Sequence, residues 1–172
     1  MSVHRTKPLP ETGASGHLVV AKSVARRTRE LLRHADPSAP AHEALVWWLG
    51  CQVGDDTIAL ACHQPPCRSG PQFVKVGEAA TGNAARAARA LRLGIVAQVH
   101  SHPGTDTRHS DGDDDLVLMP FPGMFSLVVA SYGVGSLLPE QGAGLHQFQD
   151  GRWVLIRQPD PALIIVPAEV AP

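Results

Sequence analysis

The decisive stretch of this sequence is Gly94-Ile95-Val96-Ala97-Gln98-Val99-His100-Ser101-His102-Pro103. Its apolar first half predicts a short strand, and alternate residues of a strand point to the same face. His100 and His102 should therefore aim together. Pro103 cannot donate to a strand ladder, so the strand should end beside the histidines. We expect two imidazoles at the end of a sheet strand, where functional residues are often found.

A carboxylate follows these histidines at a short distance. Six residues separate Pro103 from Ser110, a predicted helix N-cap, and Asp113 lies at the third position of that helix. From there its carboxylate can turn back toward the imidazoles. Catalytic zinc takes three nitrogen or oxygen protein ligands and keeps a fourth position for water. The predicted metal ligands are His100, His102 and Asp113; another helix register would leave three further aspartates as alternatives, Asp111, Asp114 and Asp115.

A general base is the remaining requirement of such a site. Glu43 stands at the head of the apolar run 44–50, and a carboxylate beside a buried strand can reach a metal-bound water. Alone, Glu43 would be an ordinary charged residue flanking a strand. It is a candidate base only because of its position relative to the histidine motif. The additional imidazole of His109 is interpreted as a loop residue.

These residues resemble the signature of a known family. Glu43 and the pattern His100-Ser101-His102-Pro103, Ser110, Asp113 are similar to the glutamate and His-x-His-Pro-x6-Ser-x2-Asp motif of the JAMM (JAB1/MPN/Mov34) zinc metalloproteases. The resemblance extends over about residues 17–131, through the order of strands and helices. It implies an α/β (α+β) fold: a single MPN/JAB-like, cytidine-deaminase-like domain with a curved mixed β-sheet flanked by helices.

The resemblance also implies a chemistry. One zinc ion would be bound by His100, His102 and Asp113. Glu43 would carry a proton from the attacking water to the leaving amine, and Ser110 would donate its hydroxyl to the oxyanion. The implied reaction is hydrolysis after the C-terminal glycine of a ubiquitin-like protein, in deconjugation or precursor processing.

Bacterial JAB-type deubiquitinase-like proteins of ubiquitin-like conjugation systems, some of them antiphage, are similar to this chain in size. The implied partners are a ubiquitin-like protein or its conjugates, with E1/E2-like enzymes of the same system as further candidates. Three alternatives stay open. They are release of small adducts from a sulfur-carrier ubiquitin-like protein, a non-catalytic scaffold that binds a ubiquitin-like protein, and a RadC-like protein with its similar His-x-His-Pro motif.

Composition narrows the class of protein. The chain has 172 residues and a formal net charge of -1, so we expect one domain without a basic surface for nucleic acid or membranes. The three cysteines show no scaffold-like spacing and no signal peptide is evident, which favours a reduced, cytoplasmic protein. A second metal site at Cys62, His63 and Cys67 is an alternative, although it lacks an evident fourth ligand.

The chain divides into three predicted parts. Residues 1–16 are expected to be a flexible lead-in, residues 17–157 the metalloprotease-like domain, and residues 158–172 a Pro-rich tail whose apolar run should pack on an edge or on a partner. Local patterns predict four further features: a helix capped by Ser23, an unstructured loop over 63–71, a helix opened by Thr81-Gly82-Asn83, and a hairpin at Asp150-Gly151.

Overall fold

The computed structural model describes residues 4–33, 40–116, 120–157 and 161–167. Within these ranges nine strands form one mixed sheet, in the spatial order β1-β10-β9-β8-β7-β3-β4-β2-β11, and β5 and β6 form a separate hairpin. The strands are β1 Glu11–Thr12, β2 Leu18–Ala21, β3 Leu45–Val53, β4 Asp56–His63, β5 Cys67–Gly70, β6 Phe73–Val76, β7 Gly94–Ser101, β8 Phe125–Val129, β9 Gly144–Gln149, β10 Arg152–Ile156 and β11 Leu163–Val166. The helices are α1 Lys22–Leu32, α2 Glu78–Ala90, α3 Asp111–Asp114 and α4 Ala130–Gly133, with a 3₁₀ turn at Pro139–Gln141.

The centre of the sheet explains the apolar sequence around the histidines. Strand β7 lies between β3, its antiparallel neighbour, and β8, its parallel neighbour. Because the sheet is covered on both faces here, β3 and β7 read as nearly continuous apolar runs. Because the two strands are antiparallel, with Leu45 opposite His100, the candidate base Glu43 just before β3 and the motif histidines at the end of β7 come to the same end of the sheet.

The two faces of the sheet are covered by different elements. Helix α1 packs Val24, Ala25 and Leu32 against the larger core, where the Trp48 indole donates to the Thr28 hydroxyl over 2.7 Å. The smaller core joins β3, α2 and the β5–β6 hairpin through four buried residues, Leu45, Trp47, Val74 and Ala84. The fold is thus the predicted α+β arrangement, a curled mixed sheet with helices on its faces.

The hairpin predicted at Asp150-Gly151 is confirmed. Strands β9 and β10 pair antiparallel across it, and both turn residues have positive φ angles, 49° and 76°. Such a turn matches the right-handed twist of the strands it joins.

Three local predictions were wrong. The stretch 63–71 is ordered, because Cys67–Gly70 pairs with Phe73–Val76 as a hairpin whose Val74 is buried. Ser23 is not a cap, because β2 passes directly into α1 and Ala21 takes the N-cap position without a side-chain bond. Helix α2 starts at Glu78, with Gly77 as its extended N-cap residue, three residues before Thr81.

Both terminal segments contribute a strand to the sheet. Glu11 and Thr12 pair with Leu155 and Ile156 at one edge, and Leu163–Val166 runs parallel to β2 at the other. The expectation that the apolar tail packs on an edge is confirmed, while the predicted domain boundaries stay predictions. The sequence from Asp114 to Met119 also predicts a continuing helix, because its acidic first turn suits the helix dipole. In the structure α3 ends at Asp114, and residues 117–119 lie outside the described ranges. Among the described helices, none combines the length and the apolar character needed to cross a bilayer.

Candidate metal centre

The two motif histidines meet at the end of β7. His100 is opposite Leu45 of β3 and Val128 of β8, and the amide of His102 donates to the Val129 carbonyl over 2.9 Å. Both side chains are buried, and their Nε2 atoms are 3.3 Å apart. The period of two along the strand therefore produces the convergence that the sequence predicts.

Asp113 is fixed by the first turn of α3. The Ser110 hydroxyl accepts from the Asp113 amide at 3.2 Å, while the Ser110 amide donates to Asp113 Oδ2 at 2.6 Å. This reciprocal capping box holds the carboxylate in place. Its two oxygens face the two imidazoles, with Oδ1 at 3.3 Å from His100 Nε2 and Oδ2 at 3.1 Å from His102 Nε2.

The donor set suits a small divalent cation. One ligand atom from each of His100, His102 and Asp113 lies within 4.8 Å of the others. Tetrahedral zinc with bonds of about 2.0–2.1 Å needs ligand atoms roughly 3.3 Å apart, and the two imidazole Nε2 atoms are 3.3 Å apart, while each of them faces its own oxygen of Asp113. His102 Nδ1 bonds the Asp106 carbonyl over 2.9 Å, which fixes the tautomer with an accessible Nε2 lone pair. We conclude that these residues fit zinc.

The alternative aspartates point elsewhere. Asp114 pairs with Arg5, and Asp111 accepts from the amide and the hydroxyl of Thr6. Asp115 is exposed. In the part of the chain that the structure describes, Cys62, His63 and Cys67 do not form a second ligand group.

The charges within the cluster stabilise one another. Burial opposes ionisation of Asp113, but the two histidines outweigh it and hold the pKa of its carboxyl well below the usual range. For His102, burial alone would lower the pKa, and contact with the Asp113 carboxylate raises it above the ordinary value. The carboxylate is thus ionised and directed at the imidazoles, as a metal ligand must be.

Glu43 lies beside the cluster because β3 and β7 are neighbours. The Ser101 amide donates to the Ala44 carbonyl at 3.0 Å, and the Ala44 amide donates to the Ser101 hydroxyl at 2.9 Å, which brings Glu43 alongside His102. Its side chain is buried, with 5% exposed. Burial is the main reason that its pKa rises to about 7; Asp113 raises it further and His102 lowers it. Such a carboxyl can both take up and release a proton near neutral pH.

The site opens into a cavity of about 550 Å³. One wall carries α3 and the candidate ligands His102 and Asp113, and a second wall is strand β6. The residues that line it include Glu43, Phe73, Val74, Lys75, Val76, His102, Ser110 and Asp113. The structure thus brings all the sequence-predicted site residues together: Glu43, His102, Ser110 and Asp113 line the cavity, and the fully buried His100 joins His102 and Asp113 in the cluster.

His109 lies outside the helices and strands, as interpreted from the sequence, but its burial was not predicted. It is fully buried, stacks on His146 with ring centroids 4.0 Å apart, and bonds Ser126 Oγ over 2.8 Å. The loop can tuck inward because Gly144 has no side chain; a Cβ there would be 1.9 Å from the Thr107 carbonyl oxygen. The available signal was His146, which falls on the buried face of a predicted strand.

Comparison with solved structures gives the same fold. A Desulfitobacterium hafniense protein, known by its solution structure, is 18% identical over 88% of this chain and 95% of its own, with a TM-score of 0.61. A Salinibacter ruber protein, also a solution structure, is 19% identical over 89% of this chain and 94% of its own, with a TM-score of 0.54. At these identities the likeness concerns the fold.

Sequence comparison adds one match. A family model described as prokaryotic homologs of the JAB domain matches residues 24–142, which is more than half of the chain and includes Glu43, both motif histidines, Ser110 and Asp113. Among curated proteins, none matches the sequence.

Proposed function

Because the chain belongs to the prokaryotic homologs of the JAB domain, we propose that it is a zinc-dependent isopeptidase or peptidase acting on a ubiquitin-like protein. The bond cut is the one after the C-terminal glycine of that protein. The observation that carries the proposal is a buried glutamate, Glu43, beside a His100–His102–Asp113 cluster at the floor of an open cavity. Zinc bound there supplies Lewis-acid polarisation of the scissile carbonyl and a more acidic water.

Glu43 is the proton carrier in this proposal. As the water attacks the scissile carbonyl, the Glu43 carboxylate takes its proton and then delivers it to the leaving amine. Burial places its pKa at about 7, which suits both halves of that transfer. A positioned general base typically contributes about 10²–10⁴ in rate.

Ser110 has two roles in this proposal. Its hydroxyl caps α3 and donates to Asp113 Oδ2 at 2.8 Å. To donate to the oxyanion of the tetrahedral intermediate, that hydroxyl rotates away from Asp113, while the Ser110 amide keeps its own bond to the carboxylate. One oxyanion donor is typically worth about 10²–10³ in rate.

The substrate tail is proposed to bind as an added strand along β6. A terminal Gly-Gly offers no side chains to recognise, so main-chain hydrogen bonds must hold it. Strand β6 lines the cavity over its whole length, and within the described residues β5 is its sole strand partner. A tail laid on the outer edge of β6 would direct its last carbonyl toward Glu43.

The biological setting is also a proposal. We place the reaction in a cytoplasmic bacterial ubiquitin-like conjugation system, with phage defence as a candidate role and the E1/E2-like enzymes of that system as candidate partners. No nucleic acid or membrane partner is proposed, because the net charge of -1 provides no basic surface.

The decisive experiment compares wild type with Glu43→Gln on a panel of ubiquitin-like C-terminal fusions, lysine-linked conjugates and sulfur-carrier adducts. The expected result is cleavage after the terminal glycine by the wild-type protein, loss of turnover in the variant, and one bound zinc in each. Glu78→Gln, a matched change of an exposed glutamate on α2, should behave as wild type. Full activity of Glu43→Gln would refute the assignment, and zinc-loaded wild type that cleaves no member would favour a binding role.

A further inference from the structure

We propose that Arg5, in the N-terminal segment, is a positioning residue that holds the loop and helix carrying Ser110 and Asp113 against the metal cluster. This inference rests on the proposed metal site and deepens it. It concerns residues 4–6, which precede the family match at residues 24–142. We call the contacts that Arg5 and Thr6 make with the loop and helix the clamp, and its N-terminal residues lie outside the matched region.

The outer half of the clamp is made by the N-terminal segment. Arg5 donates to Asp114 Oδ2 at 2.8 Å and to the carbonyls of His109 and Ser110 at 3.2 and 3.3 Å. Thr6 donates to Asp111 through both its amide and its hydroxyl, each at 2.9 Å. The guanidinium thus bonds the two residues that precede α3 and the last residue of that helix.

The inner half of the clamp runs from Asp114 into the sheet. Asp114 Oδ1 lies 3.1 Å from His109 Nδ1, and His109 Nε2 lies 2.8 Å from Ser126 Oγ. Ser126 in turn accepts from Gln98 Nε2 at 3.0 Å, on the strand that carries the motif histidines. When His109 carries its hydrogen on Nδ1, it donates to the Asp114 carboxylate and accepts at Nε2 from the Ser126 hydroxyl, so each group in this series has a consistent donor and acceptor role.

External support is needed because α3 is very short. A helix of four residues has no stability of its own, since one turn does not recover the cost of nucleation. Its capping box orients Asp113 relative to Ser110 but does not fix either of them relative to β7. Arg5, 17% exposed, and Asp114, 30% exposed, are removed enough from water for a charge-assisted pair to hold the turn. Positional tolerance at a metal site is small, which makes such support functionally important.

The test compares Arg5→Ala with Arg5→Lys and Arg157→Ala in the full chain. Arg157 pairs with Glu11, another N-terminal residue, over 3.2 Å at an exposed position, and is the matched control. Two readouts are followed: hydrogen exchange of the Ser110 and Asp113 amides in metal-free protein, and zinc affinity by chelator competition. The ligand-field spectrum of bound Co²⁺ serves as a geometric signature of the site.

We expect Arg5→Ala to raise exchange of these two amides by about tenfold or more, with β9 and β10 amides unchanged. Zinc affinity should fall by about 10–100-fold, as for other residues that support metal ligands, and the Co²⁺ spectrum should change. Arg5→Lys keeps a charge for Asp114 but lacks the second arm of the fork, so it should be intermediate. Arg157→Ala should match wild type.

Wild-type exchange and wild-type zinc affinity in Arg5→Ala would overturn the inference. If that variant does not fold, Arg5→Lys decides, and its identity with wild type in both readouts would have the same meaning. A chain that cleaves no substrate but shows Arg5-dependent zinc affinity supports the clamp while refuting the proposed activity. If wild type binds no zinc, the exchange measurement alone decides.

Discussion

The two walls of the cavity are built in different ways. The metal wall consists of the end of β7 and α3, where His100, His102 and Asp113 are all buried and are bonded to the sheet, to one another or to the capping turn. The hairpin wall is β5–β6, where Phe73 is 43% exposed. Its contacts with the rest of the molecule include the bond from the Glu43 amide to the Gly70 carbonyl at 2.9 Å, the bond from the Tyr132 hydroxyl to the Pro71 carbonyl, and the buried side chain of Val74. The groups of the metal wall are therefore held in place before anything binds, whereas the more exposed hairpin wall is the part of the cavity that can adjust its position at the lower cost in free energy.

The largest effect is expected on the metal wall, from Asp113→Asn. The amide cannot supply the negative charge that faces two imidazoles, so zinc affinity should fall by more than the roughly 100-fold that loss of a supporting residue costs. Chelator competition measures it. Asp115→Asn removes a charge from an exposed neighbour and should leave affinity unchanged. Wild-type zinc affinity in Asp113→Asn would mean that the metal wall is not the metal site.

Low pH should destabilise the folded state through the buried histidines behind the metal wall. Burial holds the pKa of His146 well below its ordinary value of 6.5, so as pH falls below 6.5 the unfolded chain takes up a proton that the folded chain does not. Stability is therefore lost toward acid, at about 1.4 kcal/mol per pH unit for each such group. Glu43 acts in the opposite sense between about 7 and 4.5, because its raised pKa makes the folded state take up its proton first.

A comparison of wild type with His146→Gln isolates the contribution of His146 to the pH dependence of stability. The variant keeps an acceptor for the His109 amide, which donates to His146 Nε2 over 3.2 Å, but cannot titrate. Between pH 6 and 5, urea unfolding of metal-free protein should show a dependence on pH that is smaller by about 1.4 kcal/mol per unit in the variant. Equal slopes in the two proteins would show that His146 is solvated in the folded state.

The same contrast explains what could be predicted from the sequence. The metal wall follows from local rules, since alternation along β7 and the Ser110 capping pattern depend on residues close in sequence. The hairpin wall depends on Val74 entering a core with Leu45 and Trp47, a contact between distant residues that the Pro-rich stretch 63–71 does not reveal. The burial of His109 could not be predicted for the same reason, because it depends on Gly144 and His146 from a distant strand.

Phe73→Ala tests whether the hairpin wall binds substrate. The exposed part of this ring would be covered by a bound tail, and removing it should cost about 1 kcal/mol of binding, or roughly a fivefold rise in KM with kcat unchanged. Leu91→Ala is a matched control, an exposed apolar residue away from the cavity lining. A fall in kcat at constant KM would instead mean that Phe73 acts on the metal wall.

The smallest effect on binding should come from Tyr132→Phe, a substitution that alters a contact of the hairpin wall and leaves the contact with the metal wall unchanged. Tyr132 has a left-handed backbone (φ 52°) at the end of β8, from which its amide donates to the His102 carbonyl at 2.8 Å and its hydroxyl donates to the Pro71 carbonyl at 3.1 Å. The substitution removes the hairpin bond alone, worth about 0.5–1.5 kcal/mol. We expect faster hydrogen exchange in 67–76 and a KM raised by a few fold, with zinc affinity as in wild type. Because the backbone contact to His102 remains, a loss of zinc affinity in this variant would show that the hairpin position is transmitted to the ligands and that the two walls form one unit.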